Sequence, residues 1–201
     1  MRRIALAVVG VAVLVAGIAL THDVSLAVPP AQAKAANDLM AGAGHRAAAS
    51  SSFADEVATI LAVQDRVLAA APVNDEIPEG QPRELTDLIR ARKGLCFDRS
   101  RAIETILRAN GFEARHVAIY STAETGSALK SLLSPGNESH AVTEVRTRKG
   151  WMLVDSNVRW IGLTRNGEPV AIADLRSPAR RAWHAAVEDP LPAIYSRPFT
   201  F

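Results

Sequence analysis

Residues 93–111 read KGLCFDRSRAIETILRANG, and they place the chain's single cysteine at the start of an amphipathic pattern. Apolar and small residues recur at intervals of three and four from Cys96 to Leu107, which predicts a helix with one buried face. Gly94 interrupts the preceding helical pattern, and Gly111 is typical of a position just past a helix C-terminus. We therefore expect Cys96 to open a helix that packs on the rest of the domain.

This position gives Cys96 two possible roles. Backbone N–H groups at a helix start have no partner within the helix, and together with the helix dipole they favour a thiolate. A lone cysteine on an apolar face is nevertheless often a small buried side chain without chemistry. The residues that lie beside its sulfur therefore distinguish a nucleophile from a core residue.

Two strand patterns follow the helix, at residues 141–146 and 151–155, and the residues 147–150 between them are typical of a tight turn. They predict an antiparallel hairpin. His140 precedes the first strand and Asp155 ends the second. Both residues are therefore expected at the open end of the hairpin, where their side chains can meet.

The register of the hairpin determines how they meet. With Arg146 opposite Trp151, His140 lies diagonal to Asp155 on the same face of the sheet, about 7–8 Å away at the backbone. With Arg146 opposite Lys149, the two residues are directly opposite each other. Both registers allow a histidine–carboxylate hydrogen bond, whereas a slip by one residue would place the side chains on opposite faces.

A cysteine, a histidine and a carboxylate are the groups that a thiol acyl-transfer site requires. A carboxylate bound to one imidazole nitrogen fixes the tautomer and raises the basicity of the other nitrogen, which can then accept the thiol proton. Cys96, His140 and Asp155 occur in that order and are the candidate catalytic residues. The amide of Asn157 is an alternative partner for His140, although it is expected on the opposite face.

The remaining patterns divide the chain into helices followed by strands. Helical patterns lie between Ser52 and Pro72, between Glu84 and Arg92, and between Cys96 and Asn110; a strand pattern lies at 112–120, a polar loop at 121–137, a second hairpin around Asn166-Gly167, and a last helix begins at Ser177. This order predicts an α+β fold in which N-terminal helices pack on an antiparallel sheet.

The first 27 residues have the composition of a membrane-directed segment. Two arginines precede an uncharged apolar run over residues 4–20, which is short for a bilayer span and long for a signal peptide. We expect either a cleaved signal peptide or a permanent N-terminal anchor over residues 1–27, with the arginines on the cytoplasmic side. The protein is therefore expected to be exported, either anchored in the inner membrane and facing the periplasm or secreted into the periplasm.

Residues 28–52 differ in composition from the segments on either side. They are rich in Pro, Ala, Gly and Ser and contain few large apolar groups, which predicts a flexible linker. Residues 53–201 have the length of one domain. The predicted organisation is therefore a membrane-directed segment, a linker and a single globular domain.

Composition and charge limit the possible partners and cofactors. The formal net charge is +2, so the chain lacks the strong basic excess that is typical of nucleic-acid binding. A single cysteine excludes an intramolecular disulfide and a thiolate metal cluster. We expect no cofactor, no metal ion and no nucleic-acid partner.

Three segments resemble the signature blocks of the transglutaminase-like superfamily. They are residues 93–98 around the cysteine, residues 139–145 around the histidine, and residues 150–155 ending at the aspartate. The resemblance extends over about residues 82–158. It implies a small bacterial, exported or membrane-anchored member with a papain-like, transglutaminase-like core.

The resemblance also implies a role for each candidate residue. Cys96 corresponds to the nucleophile, His140 to the general base and acid, and Asp155 to the residue that orients the histidine. Two positions differ from the residues frequent in the family, with Val142 in place of tryptophan and Ser156 in place of proline. These positions shape the acyl pocket, so they bear on the identity of the substrate.

Together these observations predict a thiol amidase, peptidase or transglutaminase-like acyltransferase that acts on protein or peptide amides in the cell envelope. Its thioester acyl-enzyme would react with water in hydrolysis or with a second amine in transamidation. The alternative is a catalytically inactive module of the same fold that binds a protein or glycan partner at the membrane.

Overall fold

The structure is a computed structural model of the 201-residue chain, and it describes residues 10, 13, 27–42, 52–78, 80–176 and 192–201. Most of the predicted signal peptide or anchor, residues 1–27, lies outside this set, and so does the last helix predicted from Ser177. Among the described residues, no helix combines the length and the apolar character that crossing a bilayer requires.

Four helices form one layer of the fold. Their bounds are Pro30–Met40 (α1), Phe53–Ala70 (α2), Leu85–Ala91 (α3) and Cys96–Ala109 (α4). The Ser52 hydroxyl caps α2 by accepting the backbone N–H of Asp55 at 3.1 Å, and Gly111, with a φ of 84°, follows the end of α4. Since α1, α2 and α3 each contact α4, the helix that begins at Cys96 is the centre of this layer.

Helix α1 occupies part of the interval predicted as a flexible linker. The prediction covers residues 28–52, but residues 30–40 form a helix in which Gln32, Ala36 and Met40 are buried. Consecutive members of this set are separated by four positions, so all three lie on one face of the helix. Because Ala36 is small, the helix can pack close to the neighbouring helices. This face is therefore buried although it carries few large apolar side chains. The described fold therefore includes a helix that precedes residue 53.

The second layer is an antiparallel sheet with four strands among the described residues. They are Ala114–Ser121 (β1), Ser139–Thr147 (β2), Gly150–Val154 (β3) and Phe199–Thr200 (β4), in the spatial order β3-β2-β1-β4. The predicted polar loop 121–137 contains a short helix, Ala128–Leu133 (α5), and 3₁₀ turns occupy Ile172–Arg176 and Ala193–Ser196. Every neighbouring pair of strands is antiparallel, which confirms the predicted α+β fold.

The β2–β3 hairpin adopts the first of the two predicted registers. Arg146 pairs with Trp151, and Thr147 pairs with Gly150 across a two-residue turn. The register with Arg146 opposite Lys149 is therefore wrong. Gly150 has a φ of 134°, a conformation that glycine adopts without steric cost, and it allows the chain to reverse before the strand begins.

The second predicted hairpin forms a turn at Asn166-Gly167, but its arms make isolated backbone bridges instead of continuous strands. Gly162, on the first arm, donates its N–H to Leu153 of β3 at 2.7 Å and accepts the N–H of Val170 at 2.8 Å. A Cβ at position 162 would lie 2.3 Å from the carbonyl oxygen of Val170. This close approach therefore requires glycine.

Both faces of the sheet are buried. Thr143 of β2 hydrogen-bonds with Ser100 of α4, so Thr143 and its alternate neighbours face the helices. Val142 lies on the opposite face, in a second core cluster with Ile119, Leu153, Trp160, Val170, Ile172, Leu175, Ile194, Tyr195 and Phe199. Burial of each large apolar side chain contributes about 2 kcal/mol. The strand that carries His140 is therefore held from both sides.

Candidate active site

Cys96 is the first residue of α4, as predicted, and the turn before it is tightly built. Asp98 accepts the backbone N–H of Leu95 at 2.9 Å, and a Cβ on Gly94 would lie only 3.1 Å from the Cβ of Asp98. The buried carboxylate of Asp98 also binds the Arg83 guanidinium at 2.8 and 3.0 Å. These contacts fix the first turn of the helix and with it the direction of the thiol.

His140 and Asp155 lie together at the open end of the hairpin, and both are buried. His140 Nε2 is 2.9 Å from Asp155 Oδ2. Because Nε2 contacts the carboxylate, Nδ1 is the ring nitrogen left for the cysteine. The Cys96 sulfur lies near the His140 side chain and the backbone of Ala141, and both of these groups lower the pKa of the thiol. The structure therefore brings the three predicted residues together in the order sulfur, imidazole, carboxylate.

Both oxygens of the Asp155 carboxylate are held. Oδ1 accepts the backbone N–H groups of Asn157 at 2.7 Å and of Val158 at 2.9 Å. Oδ2 accepts hydrogen bonds from His140 and from the hydroxyl of Tyr195. The carboxylate therefore has a fixed orientation and is fully hydrogen-bonded without solvent.

A buried arginine lies one helical turn after the cysteine. Arg99 is 3% exposed; its Nε and Nη2 donate to the carbonyl of Ala71 at 3.1 and 2.9 Å, and its Nη1 donates to Asn157 Oδ1 at 2.9 Å. The Asn157 side chain thus binds Arg99, and the alternative in which it orients His140 is wrong. Burial lowers the pKa of Arg99, whereas the negative charge of Cys96 opposes that shift.

The electrostatic interactions of Cys96 and His140 favour an ion pair. Burial raises the pKa of the Cys96 thiol, but hydrogen bonds from His140 and from the Ala141 N–H outweigh it, and the net pKa is below the ordinary value. Burial lowers the pKa of His140, but hydrogen bonds with Asp155 and Cys96 raise it to about 9. His140 is therefore protonated near neutral pH, and the lowered pKa of Cys96 favours the thiolate, which is the nucleophilic form of cysteine.

Gln64 is a member of the site that sequence analysis missed. Its Nε2 lies within hydrogen-bond distance of three backbone carbonyl oxygens, those of Asp155 at 2.8 Å, Val158 at 3.1 Å and Trp160 at 2.7 Å, which share its two N–H donors. The only sequence signal is its position on the apolar face of α2, where a polar residue is unexpected. Arg99 and Tyr195 were missed for a different reason, because basic residues around Cys96 are typical of a solvated helix face and the Tyr195 segment has no periodicity.

His116 contacts α4 but lies outside this constellation. Its Nδ1 is 2.9 Å from the Ser100 hydroxyl, and its ring packs edge-on against Phe97 with 4.9 Å between centroids. Burial, with a smaller contribution from the Arg101 cation, lowers the pKa of His116 to about 4. The imidazole is therefore neutral at pH 7 and has a structural role.

The described residues contain no other constellation of comparable chemistry. No group of three or more His, Cys, Asp or Glu side chains in this part of the chain could hold a metal ion. A cleft of about 570 Å³ has Arg108, Phe112 and Trp151 among its lining residues and includes none of the three site residues. The contacts between Cys96 and the hairpin are therefore the best candidate for an active site.

Comparison with known proteins gives a family and one structural likeness. Residues 36–156, more than half of the chain, match the sequence model of the Transglutaminase-like superfamily. A solved protein from Cytophaga hutchinsonii, described as a "putative cysteine protease", is 18% identical with a TM-score of 0.41, and the alignment covers 63% of this chain and 37% of that chain. This chain thus spans little more than a third of that protein's length.

No curated protein matches this chain. The family match confirms the resemblance of the three sequence segments and the papain-like, transglutaminase-like fold.

Proposed function

Because this chain belongs to the transglutaminase-like superfamily, we propose that it is a cysteine-dependent acyl-transfer enzyme that acts on amide bonds through a thioester. The observation that carries the proposal is the serial contact of Cys96, His140 and Asp155, with 2.9 Å between the imidazole Nε2 and the carboxylate Oδ2. Three separate parts of the fold supply these side chains, namely the start of α4, the start of β2 and the residue directly after β3. A cysteine that only fills the core needs no buried imidazole and carboxylate at its sulfur.

In the first half of the proposed reaction, the Cys96 thiolate attacks the carbonyl carbon of a substrate amide. A C–S bond forms while the carbonyl π electrons move to oxygen, and the backbone N–H of Cys96 at the helix start can bind the resulting oxyanion. The imidazolium of His140 then donates its proton to the amide nitrogen, and the C–N bond breaks. An amine departs, and the acyl group remains on sulfur as a thioester.

In the second half, the neutral imidazole accepts a proton from the nucleophile that attacks the thioester. Water gives a carboxylic acid, and a second amine gives a new amide. In both cases the C–S bond breaks and Cys96 leaves as a thiolate beside the imidazolium of His140. Because water requires no second binding site, we propose hydrolysis as the main reaction.

We propose protein or peptide amides of the cell envelope as the substrates. The support is the apolar run over residues 4–20 after two arginines, which would export the domain and leave it anchored in the inner membrane or released into the periplasm. Cys96 supplies the nucleophile, His140 both donates and accepts the proton, and Asp155 orients His140. The proposed reaction therefore needs no cofactor or metal ion.

The proposal is tested by the pH dependence of alkylation with iodoacetamide. Since the chain has one cysteine, mass spectrometry of the intact protein reports the modification of Cys96 alone. A thiolate paired with an imidazolium should react well below a pH of about 8.5, where an ordinary thiol titrates. His140→Ala should move the reactive form to higher pH, and His116→Gln, which removes a histidine outside the site, should not.

The same preparation can be tested for turnover with a peptide library. New amino termini report hydrolysis, incorporation of a fluorescent primary amine reports transamidation, and Cys96→Ser should abolish both. A sulfur that stays inert until the protein unfolds, or labelling that is unchanged in His140→Ala, would contradict the proposal. Those results would favour the alternative of a non-catalytic module that binds a protein or glycan partner.

A further inference from the structure

Tyr195 contacts the site although it comes from a distant part of the chain. It lies in the 3₁₀ turn Ala193–Ser196, 40 residues after Asp155 and beyond residues 36–156 that match the family. Its side chain is 3% exposed, and its hydroxyl donates a hydrogen bond to Asp155 Oδ2. Since the same oxygen contacts His140 Nε2, it has two donors, one from the hairpin and one from the C-terminal segment.

Contacts other than its hydroxyl fix the ring of Tyr195. The ring packs edge-on against the His140 imidazole, with 5.8 Å between centroids and 82° between planes, and it lies 5.4 Å from the ring of Trp160. Strand β4 anchors the segment, because Phe199 pairs with Ser121 of β1. Removal of the hydroxyl alone should therefore leave the ring in place.

We propose that Tyr195 is a positioning residue, the fourth in the chain of contacts formed by Cys96, His140 and Asp155. Its hydroxyl limits the negative charge that Asp155 presents to His140. This inference rests on the proposed function. A hydroxyl that donates to Oδ2 withdraws charge from the oxygen that also accepts the imidazole N–H. The imidazolium is then stabilised less than by a carboxylate without the tyrosine, so it can give up its proton to a leaving amine more readily.

The surrounding charges are compatible with this role. Among the described residues, the titratable side chains that interact with the His140–Asp155 pair are Cys96 and Arg99 from α4 and Tyr195 from the turn Ala193–Ser196. Burial, followed by the charge of Asp155, raises the pKa of Tyr195 well above its ordinary value. The Tyr195 hydroxyl therefore stays protonated and acts as a donor over the whole pH range of the alkylation experiment.

The test is the alkylation profile of the full-length Tyr195→Phe variant. A paired cysteine gives two inflections against pH, a lower one where the thiolate forms and an upper one where the imidazolium loses its proton. Without the hydroxyl, Asp155 binds the imidazolium more strongly, and the upper inflection should rise by about 0.5–1 pH unit. The matched control is Tyr120→Phe, which removes the hydroxyl of the chain's other tyrosine, on β1, and should leave both inflections in place.

A titration of the His140 ring by ¹⁵N NMR provides a second measurement that does not depend on alkylation rates. It should show the same upward shift in Tyr195→Phe, and circular dichroism checks that the variant is folded. A wild-type thiol without a low-pH inflection would overturn the proposed function itself. Two wild-type inflections together with an unmoved or lowered upper inflection in Tyr195→Phe would overturn only the role of Tyr195.

Discussion

Gln64 Nε2 donates a hydrogen bond to the backbone carbonyl oxygen of Asp155 at 2.8 Å, across 91 positions of the sequence. The same nitrogen lies 3.1 Å from the carbonyl oxygen of Val158 and 2.7 Å from that of Trp160. Helix α2 therefore fixes the backbone turn that presents the Asp155 carboxylate to His140. Helix α2 supplies none of the three candidate residues Cys96, His140 and Asp155, but it still helps to determine their arrangement.

Gln64→Met tests this arrangement, because methionine keeps the length of the side chain and removes the donor. The variant removes two N–H donors from a largely buried position next to these carbonyl oxygens, so the free energy of unfolding should fall by about 2–4 kcal/mol. Urea unfolding measures the change. Gln32→Met is the matched control, since Gln32 makes a single long hydrogen bond of 3.4 Å to Thr86, and it should cost less than about 1 kcal/mol. Equal losses in the two variants would contradict the role of Gln64.

Arg99 links α4 to the backbone at Ala71 and to the loop after Asp155, and its charge lies beside Cys96. Arg99→Met removes every donor while retaining the aliphatic volume. We expect the free energy of unfolding to fall by about 2–4 kcal/mol, and the pH at which the thiolate forms to rise, because a neighbouring cation is lost.

The matched control is Arg159→Met, which removes an arginine from an ion pair with Asp65 in which both side chains are more than one third exposed. Exposed pairs of this kind contribute at most about 1 kcal/mol. Urea unfolding and the lower inflection of the alkylation profile are measured for both variants. An unchanged lower inflection in Arg99→Met would show that its charge does not affect Cys96.

The parts of the fold that sequence predicted are those in which one local pattern is sufficient. Helix α4 has caps at both ends, and its apolar residues recur at helical spacing, so both its limits and its buried face were predictable. The β2–β3 hairpin was predictable because two strand patterns are joined by a short turn. Only two registers were compatible with this turn, and each gave one arrangement of His140 and Asp155. The three candidate residues lie at the limits of these elements, with Asp155 directly after β3, so they could be identified from the sequence.

The residues that sequence missed depend on contacts between distant segments. Gln64, Arg99 and Tyr195 reach the site from 91, 56 and 40 positions away from Asp155, and no local pattern distinguishes them from solvated or core residues. Helix α1 was missed because alanine gives a weak hydrophobic signal, although Ala36 is fully buried. A buried helix of small residues is identified by its packing and not by its composition.

Gly162 is required by a close approach of two backbone segments. A Cβ at this position would lie 2.3 Å from the carbonyl oxygen of Val170 and 3.1 Å from the Cβ of Leu153, so Gly162→Ala must displace the backbone beside β3. We expect a loss of about 2–4 kcal/mol in the free energy of unfolding, measured by urea unfolding. Gly136→Ala is the control, because its φ of 74° is strained for alanine but no atom lies within 4 Å of the added Cβ, and it should cost about 1 kcal/mol. Similar losses in the two variants would exclude a steric role for the contact with Val170.

His116 should make the protein less stable in acid. Its pKa is lowered from about 6.5 in the unfolded chain to about 4 in the folded protein, first by burial and then by Arg101. Above pH 6.5 the ring is neutral in both states, and as the pH falls towards 4 the unfolded chain binds a proton that the folded protein does not. Stability present above pH 6.5 is therefore lost over this window, by up to about 3 kcal/mol.

His116→Gln removes this titration and retains a side chain that can hydrogen-bond with Ser100. Urea unfolding at about pH 7 and about pH 4.5 gives the loss of stability for each protein, and the loss should be smaller in the variant by about 2 kcal/mol. Because the carboxylates are the same in both proteins, their contribution cancels in the difference. An equal loss in the two proteins would mean that the His116 imidazole accepts a proton as readily in the folded protein as in the unfolded chain.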